Sequence, residues 1–129
     1  MNAYTDLPGL EEIVLEESYV LAVRAEPATV VFEVDFVLTQ KHPEYVRPPA
    51  TERECFHRGF LRFLKVESLV WGDQGLQPAV DASGELDYGH IDSLTTGQRT
   101  FWLEGDWGRM EVCAGMLELE LTPSERTID

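Results

Sequence analysis

The stretch Thr29-Val30-Val31-Phe32-Glu33-Val34-Asp35-Phe36-Val37-Leu38-Thr39 decides the fold. Alternation places Val30, Phe32, Val34, Phe36 and Leu38 on one face and Thr29, Glu33, Asp35 and Thr39 mostly on the other. Five apolar positions in strict period two have no helical reading, so this is a half-buried antiparallel strand. Upstream, Tyr19 to Ala25 alternates more loosely, with Leu21, Val23 and Ala25 on one side. Between the two runs lies Glu26-Pro27-Ala28-Thr29, with proline where a type I turn wants it, which predicts a hairpin.

Working outward, residues 40–54 carry Pro43, Pro48 and Pro49 without periodicity, and they read as a long crossing loop because proline cannot donate to a ladder. A second long strand is expected from Phe56 to Trp71. Its apolar set changes parity between Phe63 and Leu64, which predicts a β-bulge or a bend. Residues 72–98 are turn-rich, with short strands expected around Leu76–Val80 and Gly89–Leu94. Thr100–Gly105 reads as a strand, Gly105-Asp106-Trp107-Gly108 as a turn, and Arg109–Thr122 as the last long strand. In that last strand Met110, Val112, Ala114 and Met116 hold one parity and Leu117, Leu119 and Leu121 the other, so a second bulge is expected next to Gly115. The tetrad Gly-Asp-x-Gly recurs at 72–75 and 105–108, which two tight turns explain more economically than a duplicated binding unit.

At the start, Pro8, Glu11 and Glu12 with Leu10, Ile13 and Val14 allow one short helix, whereas Ile13-Val14-Leu15 is equally suited to a first strand. The expected fold class is therefore all-β, or β-rich with at most one short helix. Six to eight antiparallel strands would close up as a sandwich, a barrel or a strongly bent sheet. Residues 1–122 read as a single β-rich domain and 123–129 as a polar C-terminal tail.

The chain has 129 residues, 43% of them hydrophobic, enough to build a core. Lys and Arg number 10 against 24 Asp and Glu, a formal charge of −14. That balance argues against a nucleic-acid partner, because affinity for phosphates rests on an excess of cations. The N-terminus has neither the basic stretch nor the apolar run of a secretory signal, and no window suits a membrane span, so a cytoplasmic protein without a membrane partner is the expectation. Cys55 and Cys113 then read as two reduced thiols, although one disulfide between them is the other arrangement the sequence permits.

Charge is uneven. Residues 1–17 and 66–98 hold acids and no base, and they frame a mildly basic 41–65 that carries Lys41, Arg47, Arg53, Arg58, Arg62 and Lys65. Such a surface serves solubility by self-repulsion, or it presents an acidic face to a cationic partner. The loop from Asp81 to Asp92 places oxygen donors at calcium-loop spacing, but Leu86 stands where an EF-hand needs glycine and Asp92 where it needs glutamate. His42, His57 and His90 lack zinc-ligand spacing, and no nucleophile or phosphate-cradling motif occurs, so no catalytic residue, metal ligand or cofactor is assigned. Glu104 and Asp106 near Glu111 are hairpin-end carboxylates with a solvated reading and an acid–base one. In Thr100–Gly105, Phe101 and Leu103 share a face, which leaves Trp102 on the other, and both Trp102 and the turn residue Trp107 read either as covered within the chain or as part of a contact surface. Aromatic anchors among carboxylates suit a cationic surface, so Asp87, Tyr88, His90, Trp102, Glu104, Asp106 and Trp107 form the candidate binding patch.

Several short segments carry a resemblance: Glu17-Ser18-Tyr19-Val20-Leu21, the Val30–Leu38 strand, His42-Pro43-Glu44-Tyr45, Phe60–Val66, Gly84-Glu85-Leu86-Asp87-Tyr88-Gly89 and Gly105-Asp106-Trp107-Gly108. In this order the chain resembles small bacterial β-rich proteins that include the immunity proteins of polymorphic toxin systems. The resemblance implies a non-enzymatic role, the neutralisation of a cationic toxin by occlusion, with a basic protein as partner. Two other readings stay open. One is a small enzyme or divalent-cation-dependent module using the carboxylates of 81–92 and 104–111. The other is a structural subunit, so that both monomer and homodimer remain possible.

Overall fold

The computed structural model describes residues 2–74, 79–80 and 86–123 of the chain. The strands are β1 (Asn2–Ala3), β2 (Ile13–Glu26), β3 (Thr29–Leu38), β4 (Cys55–Gly72), β5 (Ala79–Val80), β6 (Leu86–Asp87), β7 (Ile91–Thr96), β8 (Thr100–Gly105) and β9 (Gly108–Leu121). Seven of them form one antiparallel sheet in the order β1-β7-β8-β9-β4-β3-β2, and β5 pairs with β6 in a separate ribbon. The only helical element among the described residues is a 3₁₀ turn at Tyr4–Asp6, and β2 begins at Ile13, so the β-prone reading of the first segment holds. None of these elements is a helix long and apolar enough to cross a membrane.

The alternation in β3 does what its pattern requires. Val30, Phe32, Val34, Phe36 and Leu38 are all at most 2% exposed. The β2–β3 hairpin closes with Glu26 opposite Thr29, leaving Pro27 and Ala28 as the loop. Ala28 has φ of +63°, so the turn has the left-handed second position of type II rather than the expected type I.

The two parity changes lie opposite each other. Phe63 faces Leu117, Leu64 faces Met116 and Val66 faces Ala114, so β4 and β9 exchange inward and outward faces together without losing register. The change is therefore a concerted one, and neither strand carries the extra ladder residue that the sequence suggested at that point. Lys65 adopts φ of +55°, and Gly115 leaves room beside it, since a Cβ there would lie 3.2 Å from that of Lys65. The register does slip once, slightly further on, between Val66 and Ser68.

This switch divides one sheet into two halves. On one side β2 and β3 cover β4 up to Leu64, and on the other β8 pairs with β9 only over 108–113. The halves face each other over a common core. Phe32 of β3 meets Trp107 edge-on at 4.9 Å, and Phe63 meets Phe101 at 5.1 Å. The sheet is strongly bent and open. Its near-closure is a pair of 2.8 Å bonds, in which Val20 donates to the Gly89 carbonyl and accepts from Tyr88 N–H. Buried Tyr4 sits beside β2, where its hydroxyl accepts Leu15 N–H at 3.2 Å and donates to the Glu16 carboxylate at 2.6 Å. Burial, reinforced by Glu16, pushes this phenol up to about 12.

Cys55 opens β4, whereas Cys113 faces Ser68 near its other end, and both thiols are free.

Candidate functional site

The residues singled out by sequence divide among four places. Trp107 is not a surface anchor: it is 3% exposed, packed on Phe32, and its indole N–H donates to the His90 carbonyl at 3.1 Å. Its own carbonyl accepts the Trp71 indole N–H at 3.2 Å. Of the two readings open for this tryptophan, cover within the chain and contact with a partner, the first holds, because the bent sheet folds the turn into the core. Tyr88 is half-buried against the same core. Asp87 caps the next turn by accepting Gly89 N–H at 2.9 Å, and the Asp106 side chain lies against Gly89, whose φ of +87° leaves no space for a Cβ.

Trp102 and Glu104 project outward from β8, as the burial of Phe101 and Leu103 dictates. The Trp102 indole donates to Glu111 at 3.2 Å, while Glu104 lies 4.0 Å from Arg109. Glu104 and Glu111 thus have separate partners, Arg109 and Trp102. The calcium-like reading of 81–92 falls largely on residues 81–85, which lie outside the described residues, as do 76–78 of the expected strand and 124–129 of the expected tail. Among the described residues no group of three or more His, Cys, Asp or Glu is placed to hold a metal.

His90 joins a set that the sequence reading missed. Its Nδ1–H donates to the Ser18 carbonyl at 2.7 Å, which fixes its tautomer, and its ring lies 4.6 Å from that of Tyr19. Tyr19 in turn sits 5.8 Å from Phe56 and is 37% exposed. Tyr19 points outward because the β2–β3 register shifts between Val14 and Tyr19. There Ser18 turns inward, its hydroxyl donating to the Val14 carbonyl and accepting Val37 N–H.

Phe56 also lines a cleft of about 760 Å³ on the outer side of β3 and β4. One wall is β3, whose outward positions Glu33 and Asp35 alternate with buried Val34 and Phe36. The floor is β4, where Arg58 stands in register with Asp35. The 40–54 loop supplies Glu44 and Val46. It is pinned by Val46 N–H donating to the Cys55 sulfur at 3.4 Å and Glu44 N–H donating to His42 Nδ1 at 2.9 Å. Burial holds His42 below its ordinary value against the opposing pull of Glu44, which favours the neutral ring whose Nδ1 accepts that amide. Thr122 closes the last side, its carbonyl accepting His57 Nε2–H at 2.7 Å.

Electrostatically the cleft sets Glu33, Asp35 and Glu44 against Arg58, a net excess of negative charge. Glu33 is shared between Arg24 at 3.4 Å and Arg58 at 3.9 Å. Cys55 and His57 both line this cleft, yet they are not a thiol–imidazole pair. The Cys55 residue is 7% exposed with its sulfur accepting Val46 N–H, and His57 Nε2 is committed to Thr122. A separate opening of about 360 Å³ lies between Ala22–Arg24 of β2 and the aromatic side chains of Trp71, Tyr88 and Trp107.

The sequence signal for the cleft was the polar alternation of Glu33 and Asp35 in β3. Which residues those carboxylates would face depended on a β3–β4 register that no local motif encodes. Compared with known proteins, the chain matches no family model, and neither a curated protein nor a solved structure matches it significantly.

Proposed function

We propose that this chain is a non-enzymatic, acidic binding protein of the cytoplasm that engages a cationic protein through the outer face of β2–β3–β4. One observation carries the reading: a concave site bearing Glu33, Asp35 and Glu44 adjoins the aromatic row Phe56–Tyr19–His90. Aromatic rings supply contact area and a π-face for a guanidinium or ammonium group, and the carboxylates supply orientation. The net charge of −14 adds long-range attraction, which acts mainly on the rate of encounter. Occlusion of a cationic toxin, the role implied by the resemblance to immunity proteins, is a specific case of this function.

The test is affinity capture from the source cell at low and moderate salt, comparing the native chain with Glu44→Lys and Phe56→Ala. Glu44 is exposed, so reversing it leaves the core intact. The expected outcome is a basic protein retained by the native chain, with slower association as salt rises, and lost from both variants. Equal recovery by all three chains, or a captured partner that is itself acidic, refutes the reading.

A further inference from the structure

β8 bonds β9 only over 108–113, while β4 bonds it from Arg109 to Leu121, so the second half of β9 has a strand partner on one side alone. Past the β8 ladder Ala114 N–H donates to the Arg99 carbonyl at 2.9 Å, and among the described residues no further backbone bond is made on that side. On the other side Thr122 N–H donates to the Arg58 carbonyl of β4 at 2.9 Å. Backbone groups of successive strand residues point to opposite neighbours. Glu118 and Glu120 therefore bond β4 as Thr122 does, and Leu117, Leu119 and Leu121 present their N–H and C=O groups to the unpartnered edge. A Cβ at Gly9 would lie 3.8 Å from that of Leu119, so the segment before β2 runs beside this edge, yet it makes no backbone bond to β9.

The same stretch lacks cover on its inner face. Where β8 is present, Met110, Val112 and Ala114 are at most 3% exposed, whereas Leu117, Leu119 and Leu121 pack on the core and stay only half-buried. Outward, Glu118 and Glu120 share the single guanidinium of Arg62, at 3.4 and 2.7 Å, so an excess of negative charge remains beside the edge. Phe60, in register with both Glu120 and Glu33, carries this outer face on to the acidic cleft. An unpaired edge with an apolar inner row and an acidic outer row suits a strand of apolar and basic residues in alternation. We infer that the cationic partner proposed above, on whose charge this inference rests, docks by adding an antiparallel strand to β9 at 117–121. Its apolar side chains lie inward on the three leucines, and its Lys or Arg side chains lie outward against Glu118 and Glu120. The antiparallel sense continues that of β8, which already runs that way along β9. A second copy of this chain is a poor occupant. Antiparallel pairing centred on Leu119 would set Glu118 opposite Glu120 of the copy, and each copy carries a charge of −14.

The probe is a fluorescein-labelled peptide of four Lys-Val repeats, titrated with the full chain at physiological salt and followed by anisotropy. In an antiparallel strand whose valines face inward, the valine N–H groups bond β9 and the lysine N–H groups point away. Saturable binding is expected, weakened about tenfold or more when the valines are N-methylated and less than about threefold when the lysines are. A peptide of four Glu-Val repeats should bind about tenfold more weakly than the Lys-Val peptide. Glu118→Gln with Glu120→Gln, at exposed positions, should weaken the Lys-Val peptide about fivefold. Leu119→Pro deletes an edge N–H while sparing the bonds to β4, and in a chain shown to be folded by circular dichroism it should weaken the peptide about tenfold. Phe56→Ala alters the cleft without changing charge, so peptide binding should stay within about threefold. Capture of a basic protein that Phe56→Ala loses, alongside a Lys-Val peptide that does not bind, overturns strand addition and leaves the cationic reading standing. Equal binding of the Lys-Val and Glu-Val peptides overturns the proposal and counts against the cationic partner as well. The proposal is also overturned if valine and lysine methylation act alike, or if the paired glutamine substitutions leave the Lys-Val peptide unchanged. Sedimentation showing a native dimer that Leu119→Pro returns to a monomer would assign the edge to a second copy and overturn it too.

Discussion

Replacing Trp107 with alanine tests whether the turn between β8 and β9 is a core element or a contact surface. The side chain is 3% exposed, lies 4.9 Å from Phe32 in an edge-on contact, and donates to the His90 carbonyl at the start of β7. Truncating a buried aromatic to alanine costs about 3–5 kcal/mol. Leaving the His90 carbonyl without its donor adds about 1 kcal/mol. The edge-on contact is worth about 0.5–1.5 kcal/mol on its own, but it overlaps the first quantity, so the expected total is about 4–5 kcal/mol. Against a typical domain stability of about 5–15 kcal/mol, this variant should stand near the unfolding threshold. Trp107→Phe keeps a ring against Phe32 and loses the N–H, so about 1–2 kcal/mol is expected for it. Urea unfolding followed by far-ultraviolet circular dichroism measures both, with an unchanged m-value confirming that the native state is being compared. A loss below about 1 kcal/mol for Trp107→Ala would refute the packing argument and return this residue to the surface.

The remaining expectations concern pH and backbone geometry. Tyr4→Phe removes the acceptor of Leu15 N–H and the donor to Glu16, at a cost of about 1–2 kcal/mol by thermal or urea unfolding. Because folding raises this phenol from 10.0 to about 12, its stabilisation is complete below pH 10 and lost as pH rises from 10 to 12. Melting temperatures across that window should fall more steeply for the native chain than for Tyr4→Phe. His42 behaves oppositely. Burial lowers its pKa, so the unfolded chain takes up the proton first and stability declines as pH falls below the ordinary 6.5. His42→Gln should flatten that limb, and an identical slope in both chains would contradict the assignment. Gly108 has φ of +129°, and a Cβ there would lie 2.4 Å from the Gly72 carbonyl, whereas a Cβ at Gly72 meets nothing within 4 Å. Gly108→Ala should therefore cost more than about 1 kcal/mol and Gly72→Ala about 0.5 kcal/mol or less, measured in parallel urea titrations.

Much of the fold could be read before the structure because period two is a local property. The five inward residues of β3 needed no tertiary information, and the same holds for Phe101 and Leu103 against Trp102. Parity changes were visible too, but their cause was not. A single strand shows only that its inward set shifts, and the pairing of Leu64 with Met116 is needed to see that two strands shift together. Ala28 hides its left-handed conformation for a related reason, since nothing in its side chain announces φ of +63°. The start of β2 was obscured by an irregularity in which Ser18, a polar residue, occupies an inward position. The candidate site was less legible than the fold. Cover and contact both stayed open for Trp107 because its turn, read in isolation, does not show what packs on it, and the cleft was invisible because it is assembled from β3, β4, the 40–54 loop and Thr122.

The ladder between β4 and β9 has a consequence for how the chain is made. Gly59 pairs with Leu121 and Phe63 with Leu117, contacts that span much of the sequence, and β9 is the last of the described strands to leave the ribosome. Until it emerges, no strand joins β8 to β4, so the apolar face of β2, β3 and β4 lacks the ladder that brings Phe101 and Trp107 onto it. Nascent chains of this protein therefore pass through a stage in which Phe32, Phe36 and Phe63 are uncovered. Synthesis halted before residue 108 should yield fragments that depend on chaperones for solubility.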